Sequence, residues 1–312
     1  MEFNVFLAKT RGMCAGVDRA IATVSKALEI YHDKEVYVLH EVVHNTHVVQ
    51  GLKDAGAIFV ESLDEIPNNS VLIFSAHGVG YKTFEKAKEK NLHIIDATCP
   101  VVTGIHVKMN RASKQGLDAV VIGHKNHQEV LGTVGQYLGP NDKVRVVINK
   151  EDIDKLSIDG DNAIFVTQTT LSVDETAQIT KVLRDKYPNI KGPKDDDTCR
   201  ATQIRQNAIK ELASMCQVVL IAGSANSSNS NRLKEVAITH GAKAYLIDDS
   251  SDIDLSWFDG VTTVGLSAGA SAPEYIVTEI VQFLSNNGAK AIKEIGCDLK
   301  EKSFPLPREV MP

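Results

Sequence analysis

The chain has 312 residues, 43% of them hydrophobic, and 40 acidic against 34 basic side chains, a net charge of −6. This length predicts more than one domain, and dispersed negative charge argues against a phosphate-tracking nucleic-acid surface or an anionic-membrane surface. No apolar run reaches the ~18 residues of a membrane-spanning helix, the first ten residues lack a signal-peptide pattern, and five cysteines are no disulfide framework. The expectation is a soluble, cytoplasmic, multidomain protein with no nucleic-acid or membrane partner.

In chain order, predicted strands occupy Asn4–Ala8, Glu35–Leu39, Val71–Phe74, His93–Ile95, Ala119–Ile122, Lys143–Ile148, Ala163–Val166, Val218–Ile221, Lys243–Ile247 and Thr262–Gly265. Most are continuous Val/Ile runs, as strands covered on both faces require. Helical stripes separate them, such as Val17, Ala20, Ile21, Val24, Ala27, Leu28 and Tyr31, or Ile204, Ala208, Ile209, Leu212 and Met215. Alternation of this kind predicts parallel α/β sheets. From Ser285 onward no helical period persists and prolines recur at 305, 307 and 312, so a tail over the core is expected.

Six strands lead into small or polar residues: His44, Ser75–Gly78, Gly123–His127, Thr167–Thr170, Gly223–Asn229 and Ser267–Ser271. Carboxyl ends of strands form the ligand crevice of open α/β sheets. Two such ends fall in each third of the chain, which predicts three similar α/β domains whose strand ends face a common centre. The expected boundaries are 14–96, 97–192, 193–284 joined by the N-terminal strand 1–13, and a tail 285–312.

Cys14, Cys99 and Cys199 fall one per third, and each opens a helical pattern. Pro100 after Cys99 suits the first helical position. Helix N-termini favour a thiolate, so three such thiolates converging would make a metal site, whereas any one alone would read as a buried small hydrophobe. Three cysteines without a CxxC pair fit poorly with structural zinc. They would leave one iron of a cubane 4Fe–4S cluster open. Cys216 and Cys297 read as structural.

GxxxxGK[ST] and a strand-linked GxGxxG are both absent. The strand ends instead offer neutral donors: His44, His77, His127, Thr169, Ser227, Ser228, Asn229 and Ser271. Hydroxyls, amides and helix N–H groups can cradle an anion, although each could equally be an ordinary helix cap. Glu129 follows His127 in the turn after a strand; burial would let it relay a proton, exposure would leave it a solvated carboxylate. His32, His40, His47, His93, His106, His124 and His240 read as structural or exposed, and Asp195-Asp196-Asp197 as acidic capping and solvation.

The motifs Arg11-Gly12-Met13-Cys14-Ala15-Gly16-Val17, Glu41-Val42-Val43-His44-Asn45, Ser75-Ala76-His77-Gly78-Val79 and Asp96-Ala97-Thr98-Cys99-Pro100 closely resemble the 4-hydroxy-3-methylbut-2-enyl diphosphate reductase family, also called LytB. So do His127-Gln128-Glu129, Thr167-Gln168-Thr169-Thr170, Asn226-Ser227-Ser228-Asn229-Ser230-Asn231 and Ser267-Ala268-Gly269-Ala270-Ser271. The match extends to about Phe283. Gln128 departs from the pattern, which has proline there, and this puts the turn that aims Glu129 in question. The resemblance implies an α/β fold of three parallel-sheet domains arranged pseudo-threefold around a central cluster, with the N-terminal strand in the third. It implies one 4Fe–4S cluster on Cys14, Cys99 and Cys199, with the eight neutral donors around the substrate and Glu129 delivering protons. The implied reaction is reductive dehydroxylation of an allylic diphosphate to isopentenyl and dimethylallyl diphosphate. Electrons would come from a ferredoxin or flavodoxin, because flavin and nicotinamide motifs are absent. A hydro-lyase that removes water without consuming electrons, and a non-enzymatic iron or redox sensor, are the alternatives.

Overall fold

A computed structural model describes residues 2–193, 197–297 and 303–311; the expectations for Asp195, Asp196 and Pro312 lie outside them. The elements in chain order are β1 (Phe3–Ala8), α1 (Ala15–Ile30), β2 (Val36–Leu39), α2 (Thr46–Asp54), β3 (Ala57–Val60), β4 (Val71–Phe74), α3 (Tyr81–Glu89), β5 (His93–Asp96) and α4 (Pro100–Lys114). There follow β6 (Asp118–Ile122), α5 (Gln128–Gly135), β7 (Val144–Val147), α6 (Lys150–Asp154), β8 (Ala163–Thr167) and α7 (Val173–Lys186). The rest are α8 (Arg200–Met215), β9 (Val218–Ala222), α9 (Ser228–Thr239), β10 (Lys243–Ile247), β11 (Thr263–Ala268), α10 (Glu274–Asn286) and β12 (Ala289–Ile295). No helix among the described residues is long and apolar enough to cross a membrane.

The strands form three parallel sheets, ordered β10-β9-β11-β1-β12, β3-β2-β4-β5 and β7-β6-β8. The chain divides into two compact units. One unit, Met1–Asp18, His44–Gln50 and Arg200–Lys302, contains the five-stranded sheet. Strand alternation builds its core on both faces: Val218, Leu220, Val264 and Leu266 pack with Phe258, Ile276 and Ile280, while Val219 and Ile221 pack with Ile209, Leu212 and Leu233. Each fully buried aliphatic side chain contributes about 1.5–3 kcal/mol. The second unit, Arg19–Val43, Gly51–Cys199 and Ser303–Pro312, holds the other two sheets with their own cores.

Two strands differ from expectation. β3 is only four residues long, too short for a clear pattern, and pairs with β2. β12 corrects the expectation of a tail from Ser285: Ala289–Ile295 pairs in parallel with β1 at the sheet edge. Its Lys290, Lys293 and Glu294 hide the strand from pattern reading, since edge strands are protected by such charges. Beyond it, Arg308–Val310 form a single 3₁₀ turn that buries Val310.

Each sheet order reverses once between the strands that carry the polar motifs. β2 connects to β3 on one side while β4 lies on the other; the same relation holds for β6 between β7 and β8, and for β9 between β10 and β11. These topological switch points leave a crevice beyond the strand ends where α/β proteins bind ligands.

Candidate active site

In the unit with two sheets, the β6/β8 switch point carries Glu129 and Thr169. His127 caps α5, its Nδ1 accepting from the Glu129 N–H at 3.2 Å. That cap turns Glu129 inward, where it is only 3% exposed. The Thr169 N–H donates to Glu129 Oε1 and Thr169 Oγ1 donates to Oε2, both at 2.7 Å. Burial, only partly offset by these two hydrogen bonds, pushes the carboxyl up to about 7. The carboxyl therefore keeps its proton up to near neutral pH, and the solvated reading of Glu129 is overturned. Gln128 occupies the first position of α5, where a backbone N–H needs no partner and proline and glutamine fit alike. The departure from the family pattern leaves the turn intact.

The neighbouring groups of this unit follow from the same loops. The His77 and His127 rings meet edge to face, with centroids 5.8 Å apart, and Ser75 Oγ lies 3.2 Å from His77 Nδ1. Gly80, which opens α3, and Gly135 of α5 let backbone meet backbone: a Cβ on Gly135 would sit 2.7 Å from Gly80 Cα. Cys99 caps α4 with Pro100 behind it, and its N–H donates to the Ala76 carbonyl at 3.0 Å. The Cys199 N–H donates to the Thr169 carbonyl at 3.1 Å, so this cysteine is tied to the residue that holds Glu129.

Asp197 corrects the reading of the acidic run as simple capping and solvation. Its carboxylate accepts from the Thr167 N–H at 3.3 Å and pairs with Lys108, while its own N–H donates to Thr167 Oγ1 at 2.9 Å. It braces the loop that carries Thr169, and its charge further raises the Glu129 carboxyl.

In the unit with the five-stranded sheet, the β9/β11 switch point gathers the second set. Ser227 caps α9, accepting from the Ser230 N–H at 3.2 Å, so the capping role is real. Asn229 Oδ1 accepts from the Ala270 N–H at 2.8 Å, while its buried Nδ2 has no partner. A buried amide donor without a partner costs stability and calls for an acceptor. Ser271 Oγ donates to the His44 carbonyl at 2.8 Å, and the Cys14 N–H donates to the Ala270 carbonyl at 3.1 Å. Ser228, at the first position of α9, is half-buried. His44, Ser227, Ser228, Asn229, Ser271 and Cys14 therefore share one unit, and His77, His127, Glu129, Thr169, Cys99 and Cys199 the other.

Arg205 escaped sequence reasoning. It lies inside the buried face of α8 at 2% exposure and donates to the carbonyls of Gly12, Met13 and Ala201 at 2.9–3.0 Å. Its guanidinium thus fixes the loop before Cys14. A charged side chain beside Ile204 and Ile209 in an apolar stripe was the available signal. Cys216, by contrast, is buried in the core with its thiol pushed up to about 12 by desolvation. None of the five cysteines is disulfide-bonded. Among the described residues no three His, Cys, Asp or Glu side chains form a group able to hold a metal ion.

Parallel sheets with polar residues at their switch points, and a buried carboxyl that keeps its proton up to near neutral pH, define the class of α/β enzymes. The chain belongs to the LytB protein family, whose model matches residues 5–285. It is 51% identical over 309 residues to the 4-hydroxy-3-methylbut-2-enyl diphosphate reductase of Histophilus somni (strain 2336), covering 98% of each chain. It is 47% identical over 310 residues to the reductase of the same name from Shewanella oneidensis, covering 99% of this chain and 97% of the relative. The solved E-1-hydroxy-2-methyl-but-2-enyl-4-diphosphate reductase of Plasmodium falciparum superposes with a TM-score of 0.93 at 34% identity, covering 99% of this chain and 97% of that one.

Proposed function

We propose that this chain is a 4-hydroxy-3-methylbut-2-enyl diphosphate reductase, the last step of the methylerythritol phosphate route to isoprenoids. The observation that carries the reading is Glu129, a carboxyl buried against Thr169 and raised to about 7, in a chain of the LytB family. Reductive dehydroxylation breaks one allylic C–O bond and consumes two electrons and two protons. One proton leaves with the oxygen as water; the other goes to carbon, giving isopentenyl or dimethylallyl diphosphate. Glu129 supplies the first proton, because water departs far more readily than hydroxide. His44, His77, His127, Thr169, Ser227, Ser228, Asn229 and Ser271 bind the substrate, chiefly its diphosphate. The unpartnered Asn229 Nδ2 is suited to a phosphate oxygen.

Cys14, Cys99 and Cys199 would hold one 4Fe–4S cluster. The donor chemistry supports this: three thiols outside any disulfide, each directly before a helix whose N-terminus favours thiolate. When bound, the cluster supplies single electrons and Lewis acidity toward the leaving oxygen. Electrons come from a ferredoxin or flavodoxin, in the cytoplasm. The functional division runs 14–96, 97–192 and 193–284 with 1–13, one cysteine to each. Anaerobic purification with iron and sulfide analysis, an absorption spectrum and a product assay with a chemical reductant test the reading. Broad absorption near ~400 nm and allylic diphosphate converted to C5 products with consumption of electrons support it. Dehydration without electron uptake would favour a hydro-lyase, and binding without turnover a sensor.

A further inference from the structure

The short segment His44–Gln50 packs with the five-stranded unit, although the chain on either side of it, Arg19–Val43 and Gly51–Cys199, belongs to the other. It carries His44 and the first turn of α2. Side chains from the loops that follow β9, β10 and β11 hold it in place.

Ser224 lies just beyond β9, and Asp248 directly follows β10, the neighbouring strand in the sheet. Ser224 is 2% exposed, and its Oγ donates to Asp248 Oδ1. A carboxylate can only accept, so the serine's single proton is committed to it. The lone pairs left on the Ser224 oxygen accept from the Thr46 N–H at 3.0 Å, with Thr46 Oγ1 3.1 Å away. Thr46 Oγ1 also donates to Asp248 Oδ2 at 3.4 Å. Linked hydrogen bonds polarise one another, so Asp248 makes the Ser224 oxygen a stronger acceptor. A first-turn N–H of α2 is thus capped from 178 residues away. Asn45 supplies the local cap, its Oδ1 accepting from the Val48 N–H at 3.0 Å.

Ser224 has a second attachment. Its carbonyl accepts from the Ser227 N–H at 2.9 Å and closes the turn that presents Ser227 and Asn229. One residue therefore ties the His44 segment to that turn, and the Asp248 N–H, donating to Asp252 Oδ2 at 2.8 Å, orients its partner loop. Two other ties reach the segment. His47 Nε2 lies 3.3 Å from Asp249 Oδ2, in a partly exposed pair of the kind that contributes little. Ser271 holds the His44 carbonyl, but Ser271 is itself assigned to the substrate. Ser224 and Asp248 are the buried tie that does not depend on a substrate-binding side chain.

We propose that Ser224 and Asp248 are positioning residues of the substrate site. Together they fix Thr46, and through it His44, against the turn that carries Ser227 and Asn229, and so set the affinity for diphosphate. The proposal rests on the placement of the diphosphate at these residues under the proposed function. Glu129 and the groups that hold it lie outside this network, so the proton-delivering step is left untouched by it.

The test combines calorimetric titration of the anaerobically prepared full-length protein with inorganic diphosphate and steady-state kinetics with a chemical reductant. Ser224→Ala and Asp248→Ala should each weaken diphosphate binding and raise KM by about fivefold or more, the equivalent of one hydrogen bond. Their kcat at saturating substrate should stay within about twofold of the parent, as loss of ground-state and transition-state binding alike requires. Asp248→Asn keeps an oxygen that can accept from Ser224, so it should recover most of the affinity. That variant also keeps the test decisive if the alanine variants fold poorly. Unchanged affinity and KM in Ser224→Ala and Asp248→Ala, with the parent binding diphosphate, would overturn the proposal. So would equal losses of kcat and affinity with Asp248→Asn as impaired as Asp248→Ala, the mark of a general structural defect. A parent chain that does not bind inorganic diphosphate would instead remove the cradle itself, and the proposal with it.

Discussion

Glu129 gives both carboxyl oxygens to a single residue, Thr169, whose N–H and Oγ1 each donate at 2.7 Å. Hydrogen bonds of this kind pull a carboxyl pKa down, and full burial pushes it up; here burial wins, and the group reaches about 7. The same residue that holds this carboxyl also accepts the Cys199 N–H through its carbonyl.

This has a thermodynamic consequence. From about 4.5, the ordinary glutamate value, to about 7 the folded chain retains a proton that the unfolded chain has released. The stability supplied by this group is complete below the unfolded pKa and is lost as pH rises through the folded one. Urea unfolding of Glu129→Gln across pH 5–7.5 should therefore show a flatter pH dependence, the difference amounting to roughly 1–3 kcal/mol. An unchanged slope would mean that Glu129 does not titrate in that window.

For the anion cradle, Ser227→Ala and Asn229→Ala should each weaken diphosphate binding by roughly 1–3 kcal/mol. Asn229→Ala also removes the acceptor of the Ala270 N–H, so it should lower stability as well. Titration with inorganic diphosphate measures the first effect and thermal unfolding the second. Unchanged affinity in both variants would place the diphosphate elsewhere.

Backbone proximity distinguishes two glycines of neighbouring helices. At Gly135 a Cβ would press on Gly80 Cα at 2.7 Å, and backbone cannot step aside, so Gly135→Ala should destabilise by about 1–3 kcal/mol. Nothing lies within 4 Å of a Cβ at Gly104, inside α4, so Gly104→Ala should stabilise by up to about 1 kcal/mol. Chemical denaturation of the pair checks the contrast, and equal effects would refute the close approach of α5 to the start of α3.

Cys14→Ser, Cys99→Ser and Cys199→Ser should each impair cluster assembly, read as lost iron and sulfide and lost visible absorption. Cys216→Ser should not, because its buried thiol, pushed to about 12, is a poor thiolate donor. Iron content unaffected by all three substitutions would remove these cysteines from the metal site.

The sheets were legible because their central strands are unbroken apolar runs: Val71–Phe74 and Val218–Ala222 are buried at every position. β12 was not, because an edge strand carrying two lysines and a glutamate has no apolar period to read. Among candidate site residues, His127, Ser227 and the helix-opening cysteines stood out by their position between strand and helix. Arg205 and Asp197 did not, because they act through backbone groups distant in sequence. Arg205 reaches Gly12 and Met13 across more than 190 residues, a relation only tertiary packing creates. The inward turn of Glu129 likewise depends on Thr169, forty residues away.

The most direct test of the account is turnover by Glu129→Gln carrying a full complement of iron and sulfide, supplied with 4-hydroxy-3-methylbut-2-enyl diphosphate and an excess of chemical reductant. Glutamine preserves size and hydrogen bonding but cannot deliver a proton to the departing oxygen. The account predicts retained substrate binding with turnover reduced about 10²–10⁴-fold relative to the parent chain. Near-parental turnover in the fully loaded variant would contradict it.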